Sequence, residues 1–250
     1  MAAAPLPPMS APASTPETPA LSQGARVVDT FIAPSKTFTD LRRSAQWWLP
    51  FLLMTLVGWG LVYVSSQKIG VQKMLENDLH ARPKAEAQYE KATPEQQQQQ
   101  VKITGIAYYV AIPLFTLVIW VVMSGLQFGT FKFGANADIS YSKSLAVVAY
   151  AGLPMVLRNL VALVCVVAGV SADGFTLNNP VASNPGYFMN AADSPFWYFI
   201  ASQLDIFLLW TLALTAIGFA TTGKVKMATS FAIVIGWWVV ITLTFATIFS

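Results

Sequence analysis

Apolar residues along this chain run in long unbroken stretches separated by short polar segments. One uncharged stretch extends from Ser44 to Gln67 and a second from Ile103 to Phe131. A third, about 144–170, is interrupted only by Arg158, and a fourth, about 196–220, only by Asp205. The fifth, about 227–249, carries no charge. A hydrocarbon core takes about 20 apolar residues in a helix. The pattern therefore predicts five transmembrane helices, near 47–66, 106–128, 144–170, 196–220 and 227–249. Period-two alternation, the mark of a membrane barrel, is missing from these runs. The predicted fold class is all-α: a polytopic membrane protein with a five-helix bundle.

The segments outside the spans have patterns of their own. Residues 1–24 are rich in proline and alanine with little to bury, and read as a disordered cytoplasmic tail. Val27, Val28, Phe31 and Ile32 recur at helical spacing until Pro34, and Phe38 and Leu41 continue beyond it. Two short amphipathic helices on the membrane surface fit this pattern, with an interfacial anchor of Phe31, Pro34, Phe38, Leu41, Arg42, Arg43, Trp47 and Trp48. Val71, Met74, Leu75 and Leu79 extend a helical stripe past the first span. Thr93, Pro94 and Gln96 then have the spacing of a helix start with a capping box. Residues 67–102 are thus expected to form a projecting helical hairpin. The next outer loop carries Gly174, Asn179-Pro180 and Asn184-Pro185-Gly186, which are turn signals, and is expected to lie back over the bundle.

Five spans place the termini on opposite sides. With the N-terminus inside, the inner segments hold Arg26, Lys36, Arg42, Arg43, Lys132, Lys143, Lys224 and Lys226. The outer segments hold Lys68, Lys73, Arg82, Lys84, Lys91 and Lys102, offset by Glu76, Asp78, Glu86, Glu90 and Glu95. The short loops follow the positive-inside rule in this orientation. The expectation is a bacterial inner membrane protein with a cytoplasmic N-terminus and a periplasmic C-terminus.

Composition narrows the chemistry. Hydrophobic residues make up 55% and charged residues 11% of the 250, with a net charge of +3. That balance excludes an ordinary soluble enzyme and gives no basic patch for nucleic acid. One histidine and one cysteine exclude a Cys/His zinc centre and an intramolecular disulfide. There is no GxSxG, no phosphate-binding loop and no HExxH, so no enzyme template fits and no cofactor is expected. The expected partners are the lipid bilayer and other membrane or periplasmic proteins.

Two charges inside apolar runs stand out, because each costs about 2.5–3.5 kcal/mol at the bilayer centre unless compensated. Arg158 and Asp205 fall at similar depths in adjacent spans and are expected to form an intramembrane pair. Asn159, Ser202 and Gln203 are candidates to complete a polar cluster there. A register-fixing structural pair and a solute or proton pathway are the two readings of such a pair. Gly125 and Gly129 form GxxxG, a small face suited to helix packing within the chain or to a homo-oligomer.

The run Phe31-Ile32-Ala33-Pro34-Ser35-Lys36-Thr37-Phe38, then Leu41-Arg42 and Trp48-Leu49-Pro50, resembles the N-terminal region of bacterial YIP1-family proteins. Gly134 to Pro154, with Tyr141-Ser142-Lys143-Ser144-Leu145, is similar to their segment leading into the third helix. Asp205-Ile206-Phe207-Leu208-Leu209-Trp210-Thr211 and Ile217-Gly218 resemble their fourth. The resemblance covers about residues 25–250 and implies an integral membrane protein with no catalytic residue to carry over. Eukaryotic members bind Rab-type GTPases and act in vesicle traffic, but their aspartate-leucine-tyrosine-glycine-proline motif is not in this chain. Two functions follow as expectations: a membrane scaffold or adaptor that binds protein partners, or a small-solute transporter or accessory subunit of an export complex that uses the Arg158–Asp205 pair.

Overall fold

A computed structural model describes residues 19–80 and 82–248. Most of the proline-rich tail, residues 1–18, and the last residue of the expected fifth span, Phe249, lie outside the described residues. Among the described residues every regular element is helical: α1 (Gln23–Ile32), α2 (Pro34–Asp40), α3 (Trp48–Lys68), α4 (Val71–His80), α5 (Pro83–Glu90), α6 (Pro94–Gly129), α7 (Tyr141–Ala151), α8 (Leu153–Val167), α9 (Pro195–Ser202), α10 (Ile206–Gly223) and α11 (Met227–Ile248). Five membrane-length units result: α3, α6, α7 with α8, α10, and α11.

Local chemistry explains the element ends. Thr93 Oγ1 accepts from the Gln96 amide while the Gln96 side chain accepts from the Thr93 amide, closing a capping box at the start of α6. The 36 residues of α6 span about 54 Å at 1.5 Å per residue. A hydrocarbon core is about 30 Å thick, so the glutamine-rich first turns stand clear of it. At its other end α6 widens into a π-helical turn, Thr130–Gly134. The third span is two helices broken at Gly152, where Pro154 opens the next one.

The bundle has a core at each end, named inner and outer after the orientation expected from the sequence. At the inner end Phe38, Leu41, Phe131, Val147, Tyr150 and Phe219 are fully or almost fully buried together. There Phe131 and Phe219 stack at 4.5 Å. At the outer end Leu61, Met74, Ala162 and Val166 close over Phe175 and Val181 from the loop between α8 and α9. Between these, α3 packs along α8, and α10 along α11, α7 and α2. The outward face of α6 is left to lipid; Phe115 there is 62% exposed.

Three expectations need correction. The first concerns the surface helices. Phe38 and Leu41 are 0% exposed and form part of the protein core, not of a membrane anchor. Gly218 of α10 makes this docking close: a Cβ there would lie 3.0 Å from Phe38 Cε1. Thr222 Oγ1 donates to the Phe38 carbonyl at 3.1 Å. Their partner across the turn, Arg26, is also buried and ion-paired to Asp40 at 2.7 Å, so this basic group faces protein and not headgroups. The rest of the anchor set is divided. Phe31 meets Trp210 edge-on at 5.4 Å and Trp47 meets Phe51 at 5.9 Å. Pro34 opens α2, Arg42 is half-buried, and Arg43 and Trp48 are exposed.

The second correction concerns the fourth span. It is not one helix over 196–220 but α9 and α10, parted at Gln203–Asp205. Asp205 takes an extended φ/ψ of −72°/130° and caps α10. An aspartate is among the strongest helix-capping residues, and that local preference ends the apolar run. The third concerns Gly125 and Gly129. A Cβ on either would meet nothing within 4 Å, so the GxxxG face is not used for packing within the chain. The buried face of α6 runs through Trp120, Ser124 and Gln127 instead. Ser144 Oγ donates there to the Ser124 carbonyl at 2.8 Å.

Candidate functional site

Asp205 and Arg158 meet where α8, the start of α10 and the outer loop converge. α10 is 18 residues long, about 27 Å, so it crosses the hydrocarbon by itself and puts Asp205 at the outer boundary of the core. Oδ1 of Asp205 accepts from the amides of Phe207 at 2.9 Å and Leu208 at 3.1 Å. Oδ2 accepts a short hydrogen bond from Ser183 Oγ and lies 3.3 Å from Arg158 Nε. That last contact is an ion-pair separation without hydrogen-bond alignment. Arg158 reaches back from the middle of α8, and its Nη2 donates to the Asn178 carbonyl at 2.9 Å. The two residues are only 8% and 3% exposed.

The loop is therefore the third member of the site. Its backbone is held by the Ile206 amide donating to the Ser183 carbonyl at 3.1 Å. Inside it, Asn184 Nδ2 donates to Asn179 Oδ1 at 2.7 Å, and the Tyr187 amide donates to Asn184 Oδ1 at 3.0 Å. The expected cluster of Asn159, Ser202 and Gln203 does not assemble around the pair. Asn159 turns to α3, its Nδ2 3.8 Å from Met54 Sδ. Ser202 packs under the loop at Gly186, where an added Cβ would lie 2.7 Å from the Ser202 amide nitrogen. Gln203 closes the end of α9. Asn178 and Ser183 take their place. A guanidinium carries five N–H donors, more than one carboxylate can satisfy when buried, and that surplus is the sequence signal that further acceptors belonged nearby.

The outer segments are tied together around this loop. Asn77 of α4 donates through Nδ2 to the carbonyls of Ala172 at 2.7 Å and Phe175 at 3.0 Å. Lys73 and Asp173 pair at 2.7 Å. Their hydrogen bond holds the Asp173 carboxyl below, and the Lys73 amine above, its ordinary value. Asp78 accepts from Tyr108 Oη at 2.9 Å. Burial pushes its carboxyl up, against the opposing pull of that hydrogen bond and of Arg82. The 67–102 segment thus clasps the second loop at its base, through α4, before α5 and the exposed end of α6.

A second buried ion pair, missed from sequence, lies at the other end of the molecule. Arg26 Nε donates to Asp40 Oδ2 at 2.7 Å. The Arg26 carbonyl accepts from Thr30 at 2.7 Å and Thr37 at 3.0 Å. The Thr30 bond lies within α1; the bonds of Asp40 and Thr37 to Arg26 fold α1 onto α2. In the sequence Arg26 is one more inner charge, and nothing local ties it to a residue beyond the Pro34 break.

A family model, the Yip1 domain, matches residues 28–248, from the middle of α1 to the end of α11. The chain belongs to the Yip1 family. No curated protein and no solved structure matches it. The Yip1 domain here takes in all five spans, the docked α2, both outer loops and the Arg158–Asp205 pair, while of the second pair it includes Asp40 but not Arg26. It makes this a multi-pass membrane protein of the YIP1 type, in a family whose members are generally non-enzymatic.

Proposed function

We propose that this Yip1-domain protein is a non-catalytic membrane scaffold that holds protein partners at the bacterial inner membrane, with its N-terminus cytoplasmic and its C-terminus periplasmic. The observation that carries the reading is how Arg158 and Asp205 are used. Each charge is neutralised by the other, and their remaining contacts go to a helix cap and to loop backbone and hydroxyl groups. Open depressions of about 350 Å³, beside Gln97 and Lys102, and about 320 Å³, beside Thr130 and Trp237, touch neither residue. A path for solute or protons needs polar groups facing water; this pair faces protein. It acts as a staple that fixes α8, α10 and the outer loop in one register.

Partner binding falls to the surfaces that the bundle leaves free. The outer arm of α5 and the first turns of α6 projects from the membrane and exposes Gln96, Gln98, Gln99 and Gln100. The open Gly125/Gly129 face of α6 suits a second transmembrane helix, including one from another copy. The orientation rests on the lysines of the two short inner loops.

The test is reconstitution. The purified chain is placed in liposomes and assayed for proton and small-solute flux, and in parallel is crosslinked in native membranes with photoreactive residues at Gln98 and Gly125. Discrete crosslinked species at these sites, with no flux above empty vesicles, is the expected result. Flux that disappears in Asp205→Asn would overturn the scaffold reading in favour of transport.

A further inference from the structure

The two inner loops, between α6 and α7 and between α10 and α11, form one unit. The Asp138 amide donates to the Gly223 carbonyl at 3.1 Å, and Lys224 Nζ lies 3.3 Å from Asp138 Oδ2. A Cβ on Gly223 would lie 3.1 Å from that of Ala137, so the loops also touch through their backbones. This platform displays Lys132, Lys143, Lys224 and Lys226, with Asp138 as the acid among them. Its acid is surrounded by base. The Lys224 hydrogen bond, followed by the charges of Lys224, Lys143 and Lys132, holds the Asp138 carboxyl below its ordinary value.

Two of these lysines occupy positions that local energetics disfavours. Lys224 is left-handed, at φ 55° and ψ 40°, where it ends α10. Glycine or asparagine takes that place without strain. Lys143 sits in the first turn of α7, which holds no acid; the positive end of the helix dipole repels an amine there. Beside Lys132, Phe133 is 78% exposed. Basic side chains alternating with an exposed aromatic, at the ends of membrane-length helices, match the chemistry of a headgroup layer: phosphate for the amines and acyl boundary for the ring.

We infer that this lysine platform is a binding surface for anionic phospholipid headgroups of the leaflet against which it lies. Local strain at Lys224 and an unfavourable dipole at Lys143 are offset by pairing with lipid phosphate. Charge complementarity selects the occupant: the platform is basic on balance, and the span ends hold it at headgroup level. The inference is independent of whether the protein is a scaffold.

Titration of the full chain in mild neutral detergent with phosphatidylglycerol, against phosphatidylcholine, tests it. Each lysine near an anionic surface contributes about five-fold to binding. The triple variant Lys132→Gln, Lys143→Gln, Lys224→Gly is expected to lose about a hundred-fold of its preference for the anionic lipid. A control that removes three outer charges (Lys68→Gln, Lys91→Gln, Lys102→Gln) keeps its preference. Lys224→Gly alone is expected to raise the unfolding temperature while lowering the preference, opposite signs that a structural lysine would not produce. Retained preference in the triple variant, an equal loss in the control, or a lowered unfolding temperature in Lys224→Gly would overturn the inference. Inorganic phosphate competing as well as the lipid would overturn the bilayer as occupant.

Discussion

Replacing Asp205 by asparagine separates the two tasks of this side chain. Asparagine caps a helix about as well as aspartate, so the bonds to the Phe207 and Leu208 amides survive. The charge facing Arg158 does not. Arg158 is 8% exposed, and stranding a buried charge costs about 3–5 kcal/mol. Asp205→Ala removes the cap as well and is expected to cost about 1 kcal/mol more. The reverse change, Arg158→Met, leaves Asp205 with two backbone amides and the Ser183 hydroxyl. These partners stabilise the carboxylate, so this loss is smaller by about 1–2 kcal/mol. Combining Arg158→Met with Asp205→Asn removes both charges, and a neutral, well-filled site is often as stable as the pair it replaces. The double variant is therefore expected within about 1 kcal/mol of the parent, with a coupling energy of about 2 kcal/mol or more. Denaturant unfolding in mixed micelles, followed through the 8 tryptophans, gives all four corners of the cycle. Single-variant costs that add to within about 0.5 kcal/mol, or Arg158→Met costing more than Asp205→Asn, would refute the reasoning.

Other outcomes follow from the same geometry. Gly218→Val places a Cβ 2.5 Å from Val147 Cγ1 and 3.0 Å from Phe38 Cε1; overpacking of this kind costs about 1–3 kcal/mol and should free α1 and α2, seen as new proteolytic cleavage between Ile32 and Ser44. Gly125→Leu meets open space and should leave unfolding within about 0.5 kcal/mol, while changing any self-association measured by crosslinking. Asp78 binds its proton more tightly folded than unfolded, because burial raises it above 3.8. Its contribution is thus largest in acid and is lost as pH rises through the unfolded and then the raised folded value; Asp78→Asn should flatten that part of a stability profile taken upward from pH 3. Thr93→Ala opens the capping box of α6, costs about 1 kcal/mol and should speed hydrogen exchange at Gln96 and Gln97 only.

Five membrane-length units were legible in the sequence because the cost of burying polar groups in hydrocarbon acts residue by residue. Hydropathy summed along the chain reports that cost directly. The start of α6 was legible for a similar reason: a cap is chemistry between neighbours, and Thr93, Pro94 and Gln96 carry all of it. Arg158 and Asp205 were legible as a pair because two opposite charges inside apolar runs have few other ways to be neutralised.

What the tertiary structure alone decided is how the other distant segments are joined. Asp205 reads as a mid-span charge until its capping of α10 breaks the run, a choice between two locally acceptable conformations. Asn178 and Ser183 reach Arg158 and Asp205 only because the outer loop folds back, and no periodicity encodes that return. Phe38 and Leu41 show the same limit. An amphipathic face specifies that something apolar must cover it, but not whether lipid or α10 does so. That depends on the flat surface at Gly218 and the fit of one ring against it, which exist only once α10 and α2 have met.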